Sequence, residues 1–383
     1  QMIRDRFQHD TETVIVGWIP MFHDMGLIGN MMQPSYVGCR CVLMSPGAFL
    51  QEPVRWLRAI SKYRGTTAGA PNFAFDLCVD RIAPEARAGL DLSSWDVAFN
   101  GSEPVRPRTI KRFNESFSPQ GLRPESCYPC YGMAESTLMI TGPDKLTLPV
   151  LRQMPGHRPG DPLRAVSVGR TDAAHEVRIV DPETRRALAE GEVGEIWFHG
   201  PTVGMGYWRH ENETEAHFNA RLAGEPGSET KRYLRTGDLG FLDAGNLFVT
   251  GRIKDVLILN GKNHYPQDVE AAAQSSHPAL RANCAAAFLV DDGDQERLVV
   301  AIEVSRSAQR DLDTPAIARA IRLSVSRALG LPVSAVALLR QSSIPKTSSG
   351  KIQRQRCREL YLSDGLIVVG EDVRVQPPGA GPL

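Results

Sequence analysis

The sequence lacks an excess of charge of either sign, because 44 lysine and arginine residues are matched by 44 aspartate and glutamate residues. A domain that binds nucleic acid usually carries a clear basic excess, so this balance argues against a nucleic-acid partner. The sequence also lacks an apolar run close to the ~20 residues of a membrane-spanning helix, and it does not open with a signal peptide. We therefore expect a cytoplasmic protein with no integral membrane segment.

Cysteine is sparse and dispersed, with seven residues along the chain. An odd, scattered set suits a reducing cytosol better than a disulfide framework. Cys127 and Cys130 form a CxxC motif, but no second CxxC motif completes the set that a structural zinc site usually needs. We interpret these two cysteines as thiols around the end of a strand rather than as a metal or redox site.

A phosphate-binding P-loop is also absent. The most similar stretch, IPKTSSGKIQR at residues 344–354, has Pro345 where the first glycine of the P-loop motif belongs. Ile352 follows Lys351, where the motif requires serine or threonine. Two interpretations of this stretch remain. It is either a hydroxyl-rich loop that presents the ammonium group of Lys351 to a polyanion, or a solvated turn before a helix.

Hydrophobic patterning predicts an α/β fold. Residues 1–140 alternate short apolar strands, such as those within 13–20 and 95–105, with amphipathic helices such as that within 52–63. This order favours a mainly parallel sheet with helices on its faces. Residues 141–165 are rich in proline and predict a loop. Residues 166–250 predict short strands joined by hairpins, and residues 255–369 predict a smaller α+β unit.

Some polar residues stand in patterns that suit a nucleotide. Asp238, in a predicted Thr-Gly-Asp turn, offers two acceptor oxygens to a pair of ribose hydroxyls, although hairpin turns of this kind are common. Tyr131 offers a ring for stacking, and Gly101 lets the backbone approach a planar base. Glu135 could hold a hard cation, or it could simply be a first-turn residue favoured by a helix dipole.

The motifs NGSEPV, YGMAEST, YLRTGD, GRIKD and PKTSSGK occur in this order. The series resembles the adenylate-forming superfamily of acyl-CoA synthetases, luciferases and peptide-synthetase adenylation domains. The stretches WIPMFHDMGLIGNMMQPSYVG and GKNHYPQDVE are similar to fatty acyl-AMP ligases in particular. The resemblance implies an incomplete large domain at residues 1–251, with a parallel sheet and a small β subdomain. A hinge at 252–255, a small mobile α+β domain at 256–369 and a Pro/Gly-rich tail at 370–383 would follow.

The resemblance also implies residue roles. Lys351 would be the catalytic lysine that bridges the carboxylate and the α-phosphate, and His23 would lie near the acyl carboxylate, unless it is a helix-start histidine bonded to backbone. Glu135 would bind Mg²⁺, and Lys254 would lie at the hinge. The nucleotide-binding residues would be Asn100, Gly101, Ser102, Glu103, Tyr131, Gly132, Met133, Ala134, Asp238 and Arg252.

The activity implied by the resemblance is the activation of a fatty acid by ATP and Mg²⁺. Pyrophosphate leaves, and an acyl-adenylate containing AMP forms. The acyl group then passes to the phosphopantetheine of an acyl carrier protein, or of a carrier domain in a polyketide or nonribosomal peptide synthase. Rotation of the small domain would separate the two steps.

Two departures from the family pattern keep alternatives open. The Ser/Thr/Gly-rich loop that the family places before the segment matching residues 13–20 is absent, so we expect a fragment that lacks about the first third of the large domain. The segment between Glu135 and Gly169 is short for the insertion that fatty acyl-AMP ligases carry. The alternatives are a fatty acyl-CoA ligase and a non-catalytic remnant that binds adenylate or a partner protein.

Overall fold

The computed structural model describes residues 1–155, 164–224, 230–259, 262–291, 296–347 and 350–373. The chain forms two compact units, Gln1–Ile253 and Lys254–Leu383. Their boundary falls within residues 252–255, whose function as a hinge stays a prediction. Within the described ranges, no helix is both long and apolar enough to cross a membrane.

The first unit is built around a parallel sheet, as the alternating pattern predicted. Its five strands lie in the order β2-β1-β3-β4-β5, and each neighbouring pair is parallel. This arrangement brings the carboxyl ends of the strands to one edge, where α/β proteins usually bind ligands. The strands are β1 (Val14–Gly17), β2 (Arg40–Leu43), β3 (Thr67–Ala70), β4 (Val97–Asn100) and β5 (Cys127–Pro129).

Helices connect these parallel strands. A π-helix, Met25–Met32, lies between β1 and β2, and short 3-10 helices lie at Ser118–Gln120, Pro124–Ser126 and Ala134–Ser136. The α-helices of this region are α1 (Met2–Phe7), α2 (Gln33–Val37), α3 (Pro46–Gln51), α4 (Val54–Tyr63), α5 (Asn72–Arg81), α6 (Pro84–Arg87) and α7 (Pro107–Phe117).

Helix α4 shows how the core selects one helical face. The sequence predicted an amphipathic helix within 52–63. Its last residue, Tyr63, is exposed, whereas Trp56 is fully buried. The Trp56 ring packs edge-on against Trp95 at a centroid distance of 5.3 Å and against Phe49 at 5.7 Å. Large aromatic side chains dominate a core because each removes much apolar area from water. The helix therefore turns its tryptophan inward.

The antiparallel part of the first unit follows. The strands β10 (Glu176–Val180), β11 (Gly194–His199), β12 (Leu234–Asp243) and β13 (Asn246–Arg252) form a four-stranded sheet in that order. This confirms the predicted hairpins. Helix α8 covers Glu211–Phe218. The predicted loop at 141–165 is only partly correct, because short hairpin strands enter it: β6 (Tyr131–Gly132), β7 (Met139–Thr141), β8 (Leu151–Gln153) and β9 (Arg164–Val166). Residues 156–163 of that loop lie outside the described ranges.

The second unit is the α+β unit that the sequence predicted. Its four-stranded sheet has the order β16-β17-β18-β19, and the parallel pair β17-β18 is joined through α10. A small hairpin precedes this sheet. The elements are β14 (Leu257–Leu259), β15 (Lys262–His264), α9 (Pro266–Gln274), β16 (Leu280–Asp291), β17 (Glu296–Val304), α10 (Thr314–Leu329), β18 (Ala335–Leu339), α11 (Arg354–Leu362) and β19 (Val368–Val373).

The predicted tail needs a correction. Strand β19 runs to Val373 and pairs with β18, so the first residues of the segment predicted as a tail belong to the sheet. The apolar residues Val368, Val369 and Val373 supply β-branched side chains that favour a strand, and the Pro/Gly-rich composition begins only after them. Residues 374–383 lie outside the described ranges.

Candidate adenylate-binding site

Asp238 lies inside strand β12 and not in a hairpin turn, which corrects the sequence interpretation. The turn of this hairpin falls later, between the end of β12 and the start of β13. Gly237 adopts a φ of +68°, a left-handed conformation that glycine accepts at low cost. The Gly237 N–H donates to Glu195 Oε1 at 3.2 Å, and the Asp238 N–H donates to Thr236 Oγ1 at 3.1 Å. These bonds fix the direction of the Asp238 side chain.

The Asp238 carboxylate joins two predicted nucleotide-binding residues that lie far apart in the sequence. Tyr131 donates its hydroxyl to Asp238 Oδ2 at 2.7 Å, and Arg252, opposite on β13, donates Nε to Oδ1 at 3.0 Å. Burial and the adjacent Asp238 raise the pKa of Tyr131 well above its usual value, so the phenol remains a donor. A carboxylate oxygen can accept more than one hydrogen bond, so these two contacts do not by themselves saturate the group.

The carboxyl end of β4 places the NGSE segment next to Tyr131. The Cys130 N–H donates to the Asn100 carbonyl at 2.9 Å. A Cβ at Gly101 would lie 2.9 Å from the Cys130 carbonyl oxygen, so this close approach needs glycine. Ser102 has a φ of +74°. Glu103 forms an ion pair with Arg106 at 3.6 Å. The backbone here, rather than the side chains, is the surface that can meet a planar base.

Asn72, which the sequence analysis did not single out, shapes this segment. Its Oδ1 accepts from Asn100 Nδ2 and from the Arg106 N–H, both at 3.1 Å, and its Nδ2 donates to the Pro104 carbonyl at 3.0 Å. Asn72 and Asn100 are both buried. The side chain of Asn100 is therefore a support for the loop. The available signal was a polar residue just after a short apolar stretch and a proline, in TTAGAPNF.

A largely apolar cavity of about 60 Å³ adjoins some of the predicted nucleotide-binding residues. Gly101, Ser102 and Tyr131 contribute one part of its lining, and Phe99 and Leu138 contribute to the apolar part. Such a combination of polar backbone and apolar wall is typical of small-molecule sites. The lining therefore offers polar backbone on one side and hydrocarbon on the other.

Glu135, in the YGMAEST motif, lies in the 3-10 helix Ala134–Ser136. Strand β6 ends at Gly132, and Met133 connects it to this helix. Tyr207 donates its hydroxyl to Glu135 Oε1 at 2.8 Å. Burial and this bond raise the pKa of Tyr207 to about 12.

Among the described residues no group of three or more His, Cys, Asp or Glu side chains could hold a metal ion. A single carboxylate is nevertheless sufficient for Mg²⁺ when phosphates supply further ligands.

His23 lies in the turn between β1 and the π-helix. Its N–H donates to the Pro20 carbonyl at 3.1 Å. Its Nδ1 lies 3.2 Å from the Met25 nitrogen and 2.5 Å from Asp24 Oδ1. Asp24 and Met25 line the cavity described above. The backbone-bonded alternative for His23 is therefore present in its contacts, and its predicted catalytic role stays a prediction.

Lys351 and Lys254 belong to the second unit. Lys346 and Ile352 pair as an antiparallel bridge, and the Thr347 N–H donates to the Lys351 carbonyl at 2.8 Å. Residues 348–349 of this loop lie outside the described ranges. Lys254 is part of the 3-10 helix Ile253–Asp255, and its carbonyl accepts from Gln355 Nε2 at 3.1 Å. The loop that carries Lys351 therefore has hairpin character at its base.

The CxxC pair shows no sign of metal or redox chemistry within the described part of the chain. Cys127 begins β5 and Cys130 follows its last residue. Burial raises the pKa of both thiols to about 12, so they remain protonated at neutral pH. A reactive or metal-binding cysteine needs the thiolate instead. Their position matches the interpretation of two thiols around a strand end.

Comparison with known proteins decides the family. Residues 1–208 match the family described as AMP-binding enzyme. The chain belongs to this family. Residues 254–370 match a second family, described as Disco-interacting protein 2-like, AMP domain. The resemblance to adenylate-forming enzymes and the α/β fold class are thereby confirmed, whereas the individual residue roles stay predictions.

Curated relatives of this AMP-binding chain include two bacterial ligases. The medium-chain-fatty-acid–[acyl-carrier-protein] ligase JamA of Moorena producens is 43% identical, over 95% of this chain and 63% of its own length. The long-chain-fatty-acid–AMP ligase FadD26 of Mycobacterium marinum is 41% identical, over 94% of this chain and 64% of its own length. The chain thus spans about three fifths of these relatives.

Solved structures agree with these relatives. The fatty acyl-adenylate ligase from L. pneumophila in complex with acyl adenylate and pyrophosphate is 40% identical, with a TM-score of 0.65. That match covers 97% of this chain and 66% of the other. A structure from a study of fatty acyl-adenylate ligases from E. coli and L. pneumophila is 30% identical, with a TM-score of 0.83 over 95% of this chain and 64% of the other.

Proposed function

We propose that this protein activates a fatty acid with ATP to an acyl-adenylate and then transfers the acyl group to the phosphopantetheine thiol of an acyl carrier protein. The observation that carries the proposal is the arrangement of Tyr131, Asp238 and Arg252 beside the backbone of Gly101 and an apolar cavity. The names of the relatives JamA and FadD26 support the fatty-acid substrate, and that of JamA supports the carrier-protein acceptor. The scattered cysteines favour a cytoplasmic location.

In the first step of the proposed reaction, a carboxylate oxygen attacks the α-phosphorus and the bond to the pyrophosphate oxygen breaks. Asp238 would accept the ribose hydroxyls, while the Tyr131 ring and the Gly101 backbone hold the adenine. Fixing the nucleotide in this way lowers the entropic cost of the in-line approach. The apolar cavity would exclude water from the acyl chain beside the new anhydride.

Charge repulsion between the carboxylate and the phosphate is the second problem of this step. The Lys351 ammonium would neutralise both groups in the proposed reaction, which is the usual way that enzymes assist phosphoryl chemistry. Glu135 would hold a Mg²⁺ ion, which supplies additional positive charge to the phosphates. His23 would contact the acyl carboxylate, and Lys254 would provide the hinge.

In the second step, a thiol sulfur attacks the acyl carbon and AMP leaves. The proposal assigns this thiol to a carrier protein or a carrier domain, because the name of the relative JamA specifies an acyl-carrier-protein acceptor. Another relative, at 39% identity, is named a putative fatty-acid–CoA ligase, so CoA is the acceptor to compare.

ATP–pyrophosphate exchange with a medium-chain fatty acid tests the first step. We expect exchange in the unchanged chain and its loss in Lys351→Ala and Asp238→Ala. Absence of exchange in the unchanged chain would favour a non-catalytic adenylate-binding role. The second step is tested by offering equal concentrations of a phosphopantetheinylated carrier protein and CoA. Acyl-CoA formation at a rate equal to carrier loading would refute the carrier assignment.

A further inference from the structure

Residues 200–208, which follow strand β11, wrap around the turn that carries Glu135. The Gly204 N–H donates to the Glu135 carbonyl at 2.8 Å. Thr137 donates its hydroxyl to the Thr202 carbonyl, also at 2.8 Å. Together with the bond from Tyr207 to Glu135 Oε1, these contacts hold the backbone and the side chain of Glu135 from the same segment. The segment is far from Glu135 in sequence, so it acts as an external support.

Tyr207 is itself held in place by helix α8. The Tyr207 N–H donates to Thr214 Oγ1 at 2.9 Å, and the Tyr207 ring meets the Phe218 ring edge-on at a centroid distance of 5.0 Å. Gly206 has a φ of +140°, and a Cβ there would lie 2.2 Å from Thr214 Cγ2. Only glycine fits this close contact with Thr214, so the backbone before Tyr207 packs directly against helix α8. The phenol is therefore aimed at Glu135 before any ligand binds.

The two oxygens of the Glu135 carboxylate differ in their surroundings. Oε1 accepts the Tyr207 hydroxyl, whereas Oε2 accepts no hydrogen bond from the residues that the structure describes. A neutral donor on one oxygen fixes the plane of a carboxylate without cancelling its charge. Hard cations favour charged oxygen ligands, and the groups that orient such ligands contribute strongly to affinity.

We propose that Tyr207 is a positioning residue that orients Glu135 Oε2 toward a divalent cation. This inference rests on the proposed function, in which Glu135 holds Mg²⁺ beside the nucleotide. Tyr207 does not touch the reacting atoms in this assignment. Its contribution is to restrict rotation of the Glu135 side chain, which is only half-buried and would otherwise sample several rotamers.

The test is a Mn²⁺ titration followed by electron paramagnetic resonance, with the chain saturated by a non-hydrolysable ATP analogue. Tyr207→Phe keeps the ring against Phe218 and removes only the hydroxyl. We expect its Mn²⁺ dissociation constant to rise about 10-fold, the lower end of the range for groups that orient metal ligands. Tyr63→Phe removes a phenol of similar exposure that ends helix α4, and we expect it to match the unchanged chain.

The double variant separates positioning from general stability. In Glu135→Gln the carboxylate is gone, so adding Tyr207→Phe should weaken Mn²⁺ binding no further. An additive loss, or a Tyr207→Phe affinity equal to that of the unchanged chain, would overturn the inference. So would Mn²⁺ binding that is insensitive to Glu135→Gln. Pyrophosphate exchange by the unchanged chain is measured in parallel. If exchange occurs but Tyr207→Phe binds Mn²⁺ as tightly as the unchanged chain, the positioning role alone is refuted. If exchange is absent but the Mn²⁺ affinities are as expected, the activity alone is refuted.

Discussion

Removing the Tyr131 hydroxyl tests how the predicted nucleotide-binding residues support one another. In Tyr131→Phe the 2.7 Å hydrogen bond to Asp238 Oδ2 is lost, and the buried carboxylate keeps Arg252 as a charged donor. A hydrogen bond to a charged group contributes about 1.5–3 kcal/mol. A loss of about 2 kcal/mol lowers the melting temperature of a domain of this size by about 4–8 °C.

The same variant separates stability from ligand binding. In Tyr131→Phe the phenyl ring still offers its face to the base, so we expect AMP affinity, measured by calorimetry, to fall less than about 10-fold. Tyr131→Ala removes the face as well, and base–aromatic stacking contributes about 1–3 kcal/mol more. A melting temperature unchanged in Tyr131→Phe would refute the assigned hydrogen bond. An affinity loss as large as that of Tyr131→Ala would refute the stacking role.

Three further predictions concern stability measured by urea unfolding. Burial lowers the pKa of His9 to about 4, below its value in the unfolded chain, so the folded state becomes less stable as pH falls from about 6.5 toward 4. The first unit should lose about 2 kcal/mol of unfolding free energy between pH 7 and pH 5. His9→Gln should remove this pH dependence. Gly132→Ala places a Cβ 1.8 Å from a carbonyl oxygen and should cost more than about 3 kcal/mol. Gly47→Ala, in helix α3 with open space around it, should not destabilise the unit. Arg354→Met leaves the buried Glu270 carboxylate without its charged partner and should cost about 3–5 kcal/mol. Arg356→Met, in an exposed ion pair, should cost less than about 1 kcal/mol.

The sequence predicted elements best where local signals agree. Helix α10, within the predicted α+β unit, has clear local end signals, because Asp313 caps its first turn and Gly330 ends it with a φ of +68°. A side-chain cap at one end and a glycine at the other are signals that a sequence shows directly. The parallel sheet was predictable for a similar reason, since short apolar runs alternate with amphipathic helices.

Errors arose where distant pairing decides a local conformation. The triplet around Asp238 has turn composition, but pairing with β11 and β13 keeps it inside a long strand, and Gly237 is accommodated as an irregularity. Likewise, Tyr207 contacts Glu135 across a long stretch of chain, and no spacing rule connects them. The position of Asn72 under Asn100 also depends on neighbouring strands that only the folded sheet brings together.

The start of the second unit is tied to the helix that follows Lys351. Arg354 binds Asp255 and Glu270, and Gln355 donates to the Lys254 carbonyl. The Gln353 N–H donates to the Pro345 carbonyl at 3.0 Å, which links the base of the lysine loop to the same helix. These hydrogen bonds and ion pairs restrict relative movement of Lys254, the helix and the base of the loop. A rotation of the backbone at Lys254 would therefore move the base of this loop as well. Substitution of Arg354 would loosen this coupling.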